Sequence, residues 1–477
     1  MSKFYNIGSD QYVDKSPYVG SIDNIQSQIE DIIGKRHYHL EKLVDTRKRL
    51  DGVKNAINSF NATRMRTFGS IRDVEAFLGT DSYAKDRFWE SLQKIDNEFL
   101  REIGEKCGEV SRSIRNAENR FTRPNISIAV VGESRQGKST LIQKITGLDD
   151  DSVPTSEGDI CTAARSRIIN GPVQKATITF FTRDEFFHDV LGSYFVRAKV
   201  LHEDDRDTLN DFYHADSLYD SIMNDEPDVY IKRLEEYLDP VKRDSYEQYL
   251  GEDPKVITDF SELREYVAQR NETNVAFDSC KYLAVKDIEI VTPFAQASSA
   301  SKLMIFDTIG VSEPTLDVKE QMYRTISEEA DFVLYVSRLS TDSSNWIYAD
   351  NVKLYYDMLK QLKSVPAYRW IFWVLNHDDP EKYSAGVGYL EGSFRENFNH
   401  IIDNIRAQRG EHVTDYMPAG VISVDCRDDE SVAKELVGPL IHHLSENLGA
   451  IDEALIKHIN QEMDDLELKL SNITHLS

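Results

Sequence analysis

Apolar residues near the start of the chain recur at alternating steps of three and four positions. They keep one heptad register over many turns, which indicates a long amphipathic helix that packs on other helices in a bundle or coiled coil. The members of this first stripe are Ile22, Ile25, Ile29, Ile32, Leu43, Leu50, Val53, Ile57 and Phe60. Arg36, His39 and Thr46 interrupt it. A second stripe runs through 89–114, and we expect a bend between the two helices within 68–82.

From residue 126 onward the pattern changes to short, continuous apolar runs. They are rich in β-branched residues, which is typical of buried strands. The predicted strands are 126–131, 302–306, 332–336, 371–375 and 421–424. Helical stretches separate most of them, and this alternation predicts an α/β domain with a mostly parallel sheet. Two further strands, 167–169 and 176–181, are expected to form an antiparallel pair around Asn170-Gly171-Pro172.

These patterns divide the chain into four parts. A polar N-terminal segment, 1–20, precedes a helical part, 21–122, that is expected to form a bundle or coiled coil. The α/β domain covers 123–430 and carries a mainly helical, acidic insertion at about 185–282. The last part, 431–477, returns to helix.

The last part carries an apolar stripe that has no partner close by in the sequence. Its members are Leu440, Leu444, Leu448, Ile451, Leu455, Ile459, Met463, Leu466 and Leu470. We therefore predict that the C-terminal helix packs on the N-terminal helices. The expected fold class is α/β, with a mostly parallel sheet and a helical insertion, plus an α-helical bundle from both chain ends.

Composition narrows the class of protein. No run approaches the ~20 apolar residues of a membrane span, and the polar N-terminus lacks the apolar core of a signal peptide. Widely spaced cysteines favour reduced thiols in a cytoplasmic protein over a disulfide framework or a zinc site. They are Cys107, Cys161, Cys280 and Cys426.

The chain is strongly acidic, with a formal net charge of −26. This charge opposes non-specific binding to nucleic acid and to anionic lipid. A large share of the excess lies in 203–253, within the predicted insertion. Two interpretations stay open for it: a solvated helical face, or a docking surface for a basic protein partner.

The strongest motif follows the strand 126–131 directly. The residues GESRQGKS match the phosphate-loop pattern, and a strand before them and a helix after them supply the required context. The glycines let the loop curl so that its N–H groups face phosphate oxygens, and the helix N-terminus adds the positive end of its dipole. Lys138 is expected to reach the β- and γ-phosphates, and Ser139 to bind Mg²⁺. The predicted nucleotide-binding residues here are Gly132, Glu133, Ser134, Arg135, Gln136, Gly137, Lys138, Ser139 and Thr140.

Further ligands for the metal and the γ-phosphate follow along the chain. The sequence DTIG comes after a predicted strand, so Asp307 is placed to hold the Mg²⁺ shell and Gly310 to offer its N–H to the γ-phosphate. Thr162 lies between the phosphate loop and the next strand, and its hydroxyl is expected to complete the Mg²⁺ shell. Thr155 is the alternative. The predicted metal ligands are Ser139, Thr162 and Asp307.

A base-recognition motif, NHDD, follows the predicted strand 371–375. Asp379 is placed to accept both the ring N–H and the amino protons of guanine, which adenine does not offer. Asn376 completes the predicted nucleotide-binding set. The alternative is a helix-capping turn before Pro380.

The ordered set GESRQGKS, Thr162, DTIG and NHDD resembles the dynamin superfamily of large GTPases. Bacterial dynamin-like proteins are similar in this layout, which covers about 126–426. The resemblance implies GTP and Mg²⁺ as ligands and hydrolysis of GTP. It also implies a helical neck built from both sides of the GTPase domain, and face-to-face dimerisation across the nucleotides.

Two departures from the dynamin pattern matter. Ser134 and Arg135 stand where dynamins carry Gln-Ser, so potassium-assisted positioning of water is not carried over. An arginine in this place is similar to guanylate-binding proteins and atlastins, where it acts as an internal arginine finger; the alternative is a solvated loop residue. Arg135, Lys138 and Thr162 are therefore the predicted catalytic residues. His377 replaces the usual lysine, which weakens the expected preference for guanine.

We expect a GTPase that couples hydrolysis to a shape change of its helical bundle and to a nucleotide-dependent homodimer. It is expected in the cytoplasm or at the periphery of a membrane, with any membrane contact indirect and with no nucleic-acid partner. Two alternatives stay open. One is a slow or non-enzymatic switch that recruits a protein partner when GTP binds. The other is an ATPase of similar layout.

Overall fold

The computed structural model describes most of the chain. The described residues are 3–6, 11–14, 22–78, 82–94, 100–153, 165–222, 229–268, 280–295, 302–308, 322–339, 349–360, 367–377, 396, 398–407 and 416–474. They divide into two compact units. The nucleotide unit comprises 1–30 and 125–447, and the bundle unit comprises 31–124 and 448–477.

One eleven-stranded sheet forms the centre of the nucleotide unit. Its strands are β1 (Lys3–Asn6), β2 (Gln11–Asp14), β3 (Ile126–Val131), β4 (Ser166–Asn170), β5 (Lys175–Phe180), β6 (Lys255–Ile257), β7 (Val285–Thr292), β8 (Leu303–Asp307), β9 (Phe332–Arg338), β10 (Ile371–Asn376) and β11 (Gly420–Val424). Their order across the sheet is β2-β1-β11-β10-β9-β3-β8-β4-β7-β5-β6.

The centre of this sheet is parallel. Strands β11, β10, β9, β3 and β8 all run in one direction, and β3 lies between β9 and β8. Strands that are covered on both faces have continuous apolar sequences, which is why these strands were predictable. Every residue of β3, β8, β10 and β11 is buried. The prediction of an α/β fold with a parallel sheet is confirmed for this central part. The flanks contain antiparallel pairs, so the sheet as a whole is mixed.

The prediction that β4 and β5 form an antiparallel pair is wrong. Strand β7 lies between them, parallel to β4 and antiparallel to β5. The Asn170-Gly171-Pro172 segment therefore spans an intervening strand instead of closing a hairpin. Two short apolar strands separated by turn residues are typical of a hairpin. The turn residues cannot indicate that β7, about a hundred residues further along the chain, inserts between the two strands.

The polar N-terminal segment also joins the sheet. Strands β1 and β2 form an antiparallel hairpin, and β1 pairs with β11 through Tyr5 and Val421. The polar composition of this segment gave no signal for these strands. An edge strand pairs with the unpaired backbone N–H and C=O groups of its neighbour, so it does not need a continuous apolar run.

The predicted insertion is mainly helical and encloses its own aromatic core. Its helical segments are 183–197, Glu203–Thr208, Phe212–Asp220, Val229–Leu238, Pro240–Tyr246, Glu247–Tyr249, Phe260–Glu262, Arg264–Val267 and Lys281–Ala284. Phe186 contacts Phe187, Phe212, Tyr237 and Tyr246 with ring centroids 5.7–6.0 Å apart. The insertion also supplies strand β6 at the edge of the sheet, which its helical pattern did not predict.

The bundle unit contains helices from both chain ends. They are α1 (Ile22–Phe68), α2 (Ile71–Leu78), α3 (Ser82–Lys94), α4 (Arg101–Thr122) and the C-terminal helix Gly438–Thr474, with α1 and the C-terminal helix also supplying residues to the nucleotide unit. The bend predicted within 68–82 contains the short helix α2. The second predicted stripe is divided between α3 and α4, and 95–99 lie outside the described residues.

The two predicted end stripes pack together within the bundle unit, whereas Leu440 and Leu444 of the C-terminal stripe belong to the nucleotide unit. Their shared core contains Leu43, Leu50, Val53, Ile103, Cys107, Val110, Ile114, Ala117, Phe121, Ile456, Ile459, Met463 and Leu466. The prediction of one helical bundle from both chain ends is confirmed. None of the described helices combines the length and apolar content that crossing a bilayer requires.

Polar residues that interrupt the first stripe find partners across the bundle. Arg36 is fully buried and donates from Nε to Asp452 at 2.8 Å, and Thr46 donates to Asn460 at 2.6 Å. A buried charge that loses its partner costs about 3–5 kcal/mol. These pairs therefore specify which positions of α1 and the C-terminal helix face each other.

Candidate functional site

The phosphate loop joins β3 to helix α5 (Lys138–Thr146). Gly132 has φ +154°, and a Cβ there would collide with the carbonyl oxygen of Val336. Gly137 has φ +100°, and a Cβ there would collide with the side chain of Asn376. Both glycines are required because the loop is packed closely on the ends of β9 and β10. The loop curls at the N-terminus of α5, where backbone N–H groups can meet an anion.

Arg135 lies within this loop in a strained conformation. Its φ is 63°, in the left-handed region that non-glycine residues rarely adopt, and its side chain is exposed. Such backbone conformations cost about 1–3 kcal/mol and cluster at ligand-binding sites. The loop backbone therefore holds the Arg135 side chain on the exposed surface of the predicted site.

Lys138 is the first residue of α5 and is buried, with 6% of its surface exposed. Its Nζ donates a hydrogen bond to the carbonyl oxygen of Glu133 at 2.7 Å, across the loop. Burial lowers the pKa of Lys138 to about 8, although the carboxylates of Asp307 and Glu133 oppose that shift. Among the described residues this ammonium donates to a carbonyl oxygen, so it is well placed to bind an anion held in the loop.

Asp307 ends strand β8 beside the phosphate loop and is 1% exposed. Burial raises the pKa of its carboxyl to about 7, and the nearby Lys138 opposes the shift. Among the described residues, Oδ1 of Asp307 has no hydrogen-bond partner. A buried carboxylate oxygen without a hydrogen bond destabilises the folded protein. This atom is therefore suited to bind a cation or a water molecule that a cation holds.

The oxygen atoms at this end of the sheet fit Mg²⁺. The cation prefers oxygen ligands and keeps several waters, so one carboxylate and one hydroxyl from the protein suffice beside phosphate oxygens. Asp307 offers the unpartnered carboxylate oxygen described above. Ser139 lies in the first turn of α5, half-buried, and Thr140 follows it. Asp307 and Ser139 are therefore the described residues that would hold the metal.

Asn376 connects the loop to the base-recognition side of the site. Its Nδ2 donates to the carbonyl oxygen of Gln136 at 2.9 Å, and its Oδ1 accepts from the N–H of Cys426 at 3.3 Å. Next to it, the N–H of His377 donates to the carbonyl oxygen of Val424 at 3.1 Å. The predicted Asn376 thus holds together the loop and the ends of β10 and β11.

Three predicted site residues lie outside the described residues: Thr162, Gly310 and Asp379, together with the alternative Thr155. The others occupy one end of the sheet. The loop residues follow β3, Asp307 ends β8 and Asn376 ends β10, so the carboxyl ends of the central parallel strands bring them to one edge of the sheet. Open α/β sheets bind ligands at such an edge.

Sequence reasoning missed Arg165 and Thr308 near this edge. Arg165 donates to Asp287 at 3.0 Å, also pairs with Glu329, and places its guanidinium 5.4 Å from the ring centre of Phe306. Thr308 donates its hydroxyl to the carbonyl oxygen of Val130 at 2.6 Å. Both follow or precede predicted elements, but their partners lie on elements far away in sequence. No local signal marks such contacts.

The fold and this end of the sheet define a P-loop nucleotide-binding protein. Comparison with known families agrees: residues 128–365 match the model of the dynamin family. This match places the nucleotide domain of the chain in that family, whose members are GTPases. No curated protein matches the chain.

Among the solved structures that are similar to the chain, two come from "an oligomerised bacterial dynamin pair" described as sensing and tethering membranes. The first has 14% identity and a TM-score of 0.40, and covers 77% of this chain and 52% of its own. The second has 14% identity and a TM-score of 0.41, with 83% and 57% covered. The chain thus spans just over half the length of these structures.

Proposed function

We propose that the chain binds GTP with Mg²⁺ at the carboxyl ends of β3, β8 and β10 and hydrolyses it. The observation that carries this proposal is that Lys138 and Asp307 are both buried beside the phosphate loop and interact electrostatically. A buried ammonium and a buried carboxylate with an unpartnered oxygen lie together beside a loop shaped for phosphates. Membership of the nucleotide domain in a family of GTPases supports the same conclusion.

Each residue would have a separate task. The loop N–H groups and Lys138 bind and orient the phosphates, while Ser139 and Asp307 hold the metal shell. Mg²⁺, when bound, supplies positive charge that neutralises charge developing on the phosphoryl group. Arg135, exposed on the loop, would add a guanidinium to the γ-phosphate in the transition state. Thr162 remains the residue whose hydroxyl we propose completes the Mg²⁺ shell.

Asp379 would give the preference for guanine, and His377 in place of lysine keeps ATP as the competing candidate. The decisive experiment titrates the full chain with fluorescent GTP and ATP analogues in the presence of Mg²⁺. We expect tighter binding of GTP. In Asp379→Asn the amide donates where the carboxylate accepted, so preference should move toward xanthosine triphosphate. Tighter binding of ATP than of GTP by the wild type would instead favour the ATPase.

Self-association and a response of the bundle complete the proposal. Family membership of the nucleotide domain motivates both. If dimers complete the site, phosphate release per protein rises with protein concentration. A flat dependence with very slow turnover would support the solitary switch that recruits a protein partner.

The described cysteines support the cytoplasm as the proposed location. Cys107, Cys280 and Cys426 are free and buried. Reduced thiols are usual in a compartment that glutathione and thioredoxin keep reducing. The test purifies the protein without reductant, unfolds it and counts its free thiols with a thiol reagent. Thiols that do not react because they are oxidised would argue against this location. We also propose a basic protein partner at the acidic insertion and indirect contact with a membrane.

A further inference from the structure

The side chain of Gln136 contacts the end of strand β9. Its Oε1 accepts a hydrogen bond from the backbone N–H of Arg338 at 2.6 Å, and its Nε2 lies 3.4 Å from the carbonyl oxygen of Ser134. A backbone N–H can only donate, so the atom that faces Arg338 is the amide oxygen. This contact therefore determines the orientation of the whole amide group.

The main chain of Gln136 is held from a second strand. Asn376 donates its Nδ2 to the Gln136 carbonyl oxygen at 2.9 Å. Arg338 and Asn376 are register partners at the ends of β9 and β10. Gln136 thus attaches the phosphate loop to two neighbouring strand ends, to one through its side chain and to the other through its main chain.

We propose that Gln136 is a positioning residue, whose amide oxygen holds the phosphate loop on the end of β9 while the loop's backbone N–H groups meet the phosphates. The inference rests on the proposed function, since it requires the loop to bind a nucleotide. An amide oxygen cannot donate to a phosphate, and here it already accepts from Arg338. The left-handed backbone at Arg135 and Gly137 needs such a restraint to persist.

A tether, meaning a side chain that holds the phosphate loop on β9, and a direct phosphate contact have different consequences for the binding of GDP and GTP. Backbone N–H groups of the loop cradle phosphates that GDP and GTP share. Loss of the tether should therefore weaken binding of GDP and GTP by the same factor. That factor is about 2- to 10-fold, the usual contribution of one hydrogen bond. Uniform weakening raises KM and leaves kcat unchanged.

Two substitutions of similar size separate the interpretations further. In Gln136→Glu a carboxylate oxygen still accepts from the Arg338 N–H, whereas Gln136→Met offers only a weakly accepting thioether. A tether therefore predicts tighter nucleotide binding by Gln136→Glu than by Gln136→Met. A side chain aimed at phosphates predicts the opposite order, because a carboxylate repels them.

The experiment compares the full-length wild type with Gln136→Met, Gln136→Glu and the control Gln248→Met. Gln248 is exposed in the insertion, with its amide 3.5 Å from a carbonyl of its own turn, so the same substitution there should leave binding unchanged. Fluorescent GDP and GTP analogues measure affinity, and phosphate release measures KM and kcat. Thermal unfolding without nucleotide identifies any variant that has lost its fold.

Equal loss for GDP and GTP in Gln136→Met, with tighter binding by Gln136→Glu, is the expected result. Three results would overturn the inference: weaker binding by Gln136→Glu than by Gln136→Met, loss for GTP alone, or wild-type binding by Gln136→Met. Failure of the wild type to bind either nucleotide would overturn the proposed function as well, and it would be visible before any variant is measured.

Discussion

The protonation of His443 offers a prediction whose size follows from the structure. The residue lies in the C-terminal helix, within the nucleotide unit, and only 6% of its surface is exposed. Its ring centre is 4.9 Å from that of Phe372 and 5.4 Å from that of Phe332. With Nε2 as the protonated nitrogen, His443 donates to the carbonyl oxygen of Arg369 at 2.8 Å. The amide of Asn447 lies 3.4 Å from Nδ1, so a second proton there would face a donor.

Burial lowers the pKa of His443 from 6.5 to about 4, an effect that the hydrogen bond to Arg369 opposes. Below pH 6.5 the unfolded chain binds a proton that the folded chain does not bind until about pH 4. Stability from this residue is therefore fully present above pH 6.5 and is lost as the pH falls toward 4. Each pKa unit corresponds to about 1.36 kcal/mol, so the loss reaches about 3 kcal/mol.

The assay is urea unfolding from pH 8 to pH 4, followed by tryptophan fluorescence, because Trp370 and Trp373 are buried in the same unit. The free energy of unfolding of His443→Gln, subtracted from that of the wild type, removes the contribution of the many carboxylates. We expect this difference to fall by about 3 kcal/mol across the range. The control His442→Gln should retain the fall, since His443 is still present. A difference that does not change with pH would refute the reasoning.

Three further predictions concern the site and the bundle. Lys138→Ala should weaken triphosphate binding about 100-fold, because the phosphates lose a charged hydrogen bond; fluorescent GTP titration measures this, and unchanged affinity would remove the loop assignment. Arg135→Ala should lower kcat for phosphate release by about 10³–10⁵ with little change in GTP affinity; equal turnover would leave Arg135 a surface residue. Ile459→Ala should destabilise the bundle by about 2–5 kcal/mol in thermal or urea unfolding, whereas Leu468→Ala, on an exposed position of the same helix, should change stability by less than about 0.5 kcal/mol.

Local pattern was sufficient to predict the elements that carry the site. Strand β3 is a continuous apolar run followed by two glycines at fixed spacing, and the structure has the strand at the predicted residues. Both signals act within a few residues of each other, so neither depends on the rest of the fold. The bundle was predictable for a similar reason, since a long unpartnered apolar stripe needs a second one to cover it.

The partners of individual polar residues were not predictable in this way. Asn376 was recognised from its motif as a nucleotide-binding residue, yet its amide joins Gln136 to Cys426. Gln136 was expected among the phosphate-binding residues, yet its side chain accepts from Arg338. These contacts join the ends of strands that are far apart in sequence, and only strand order in the sheet makes them neighbours.

The sequence by itself determined that this protein has a parallel nucleotide-binding core and a helical bundle from its two ends, because apolar periodicity and glycine spacing are local properties. Tertiary structure alone decided that β7 separates β4 from β5, that a polar N-terminal hairpin extends the sheet beyond β11, and that the phosphate loop is attached to β9 and β10. Strand pairing satisfies backbone groups that every residue carries alike, so the choice among possible neighbours depends on the packing of the whole sheet.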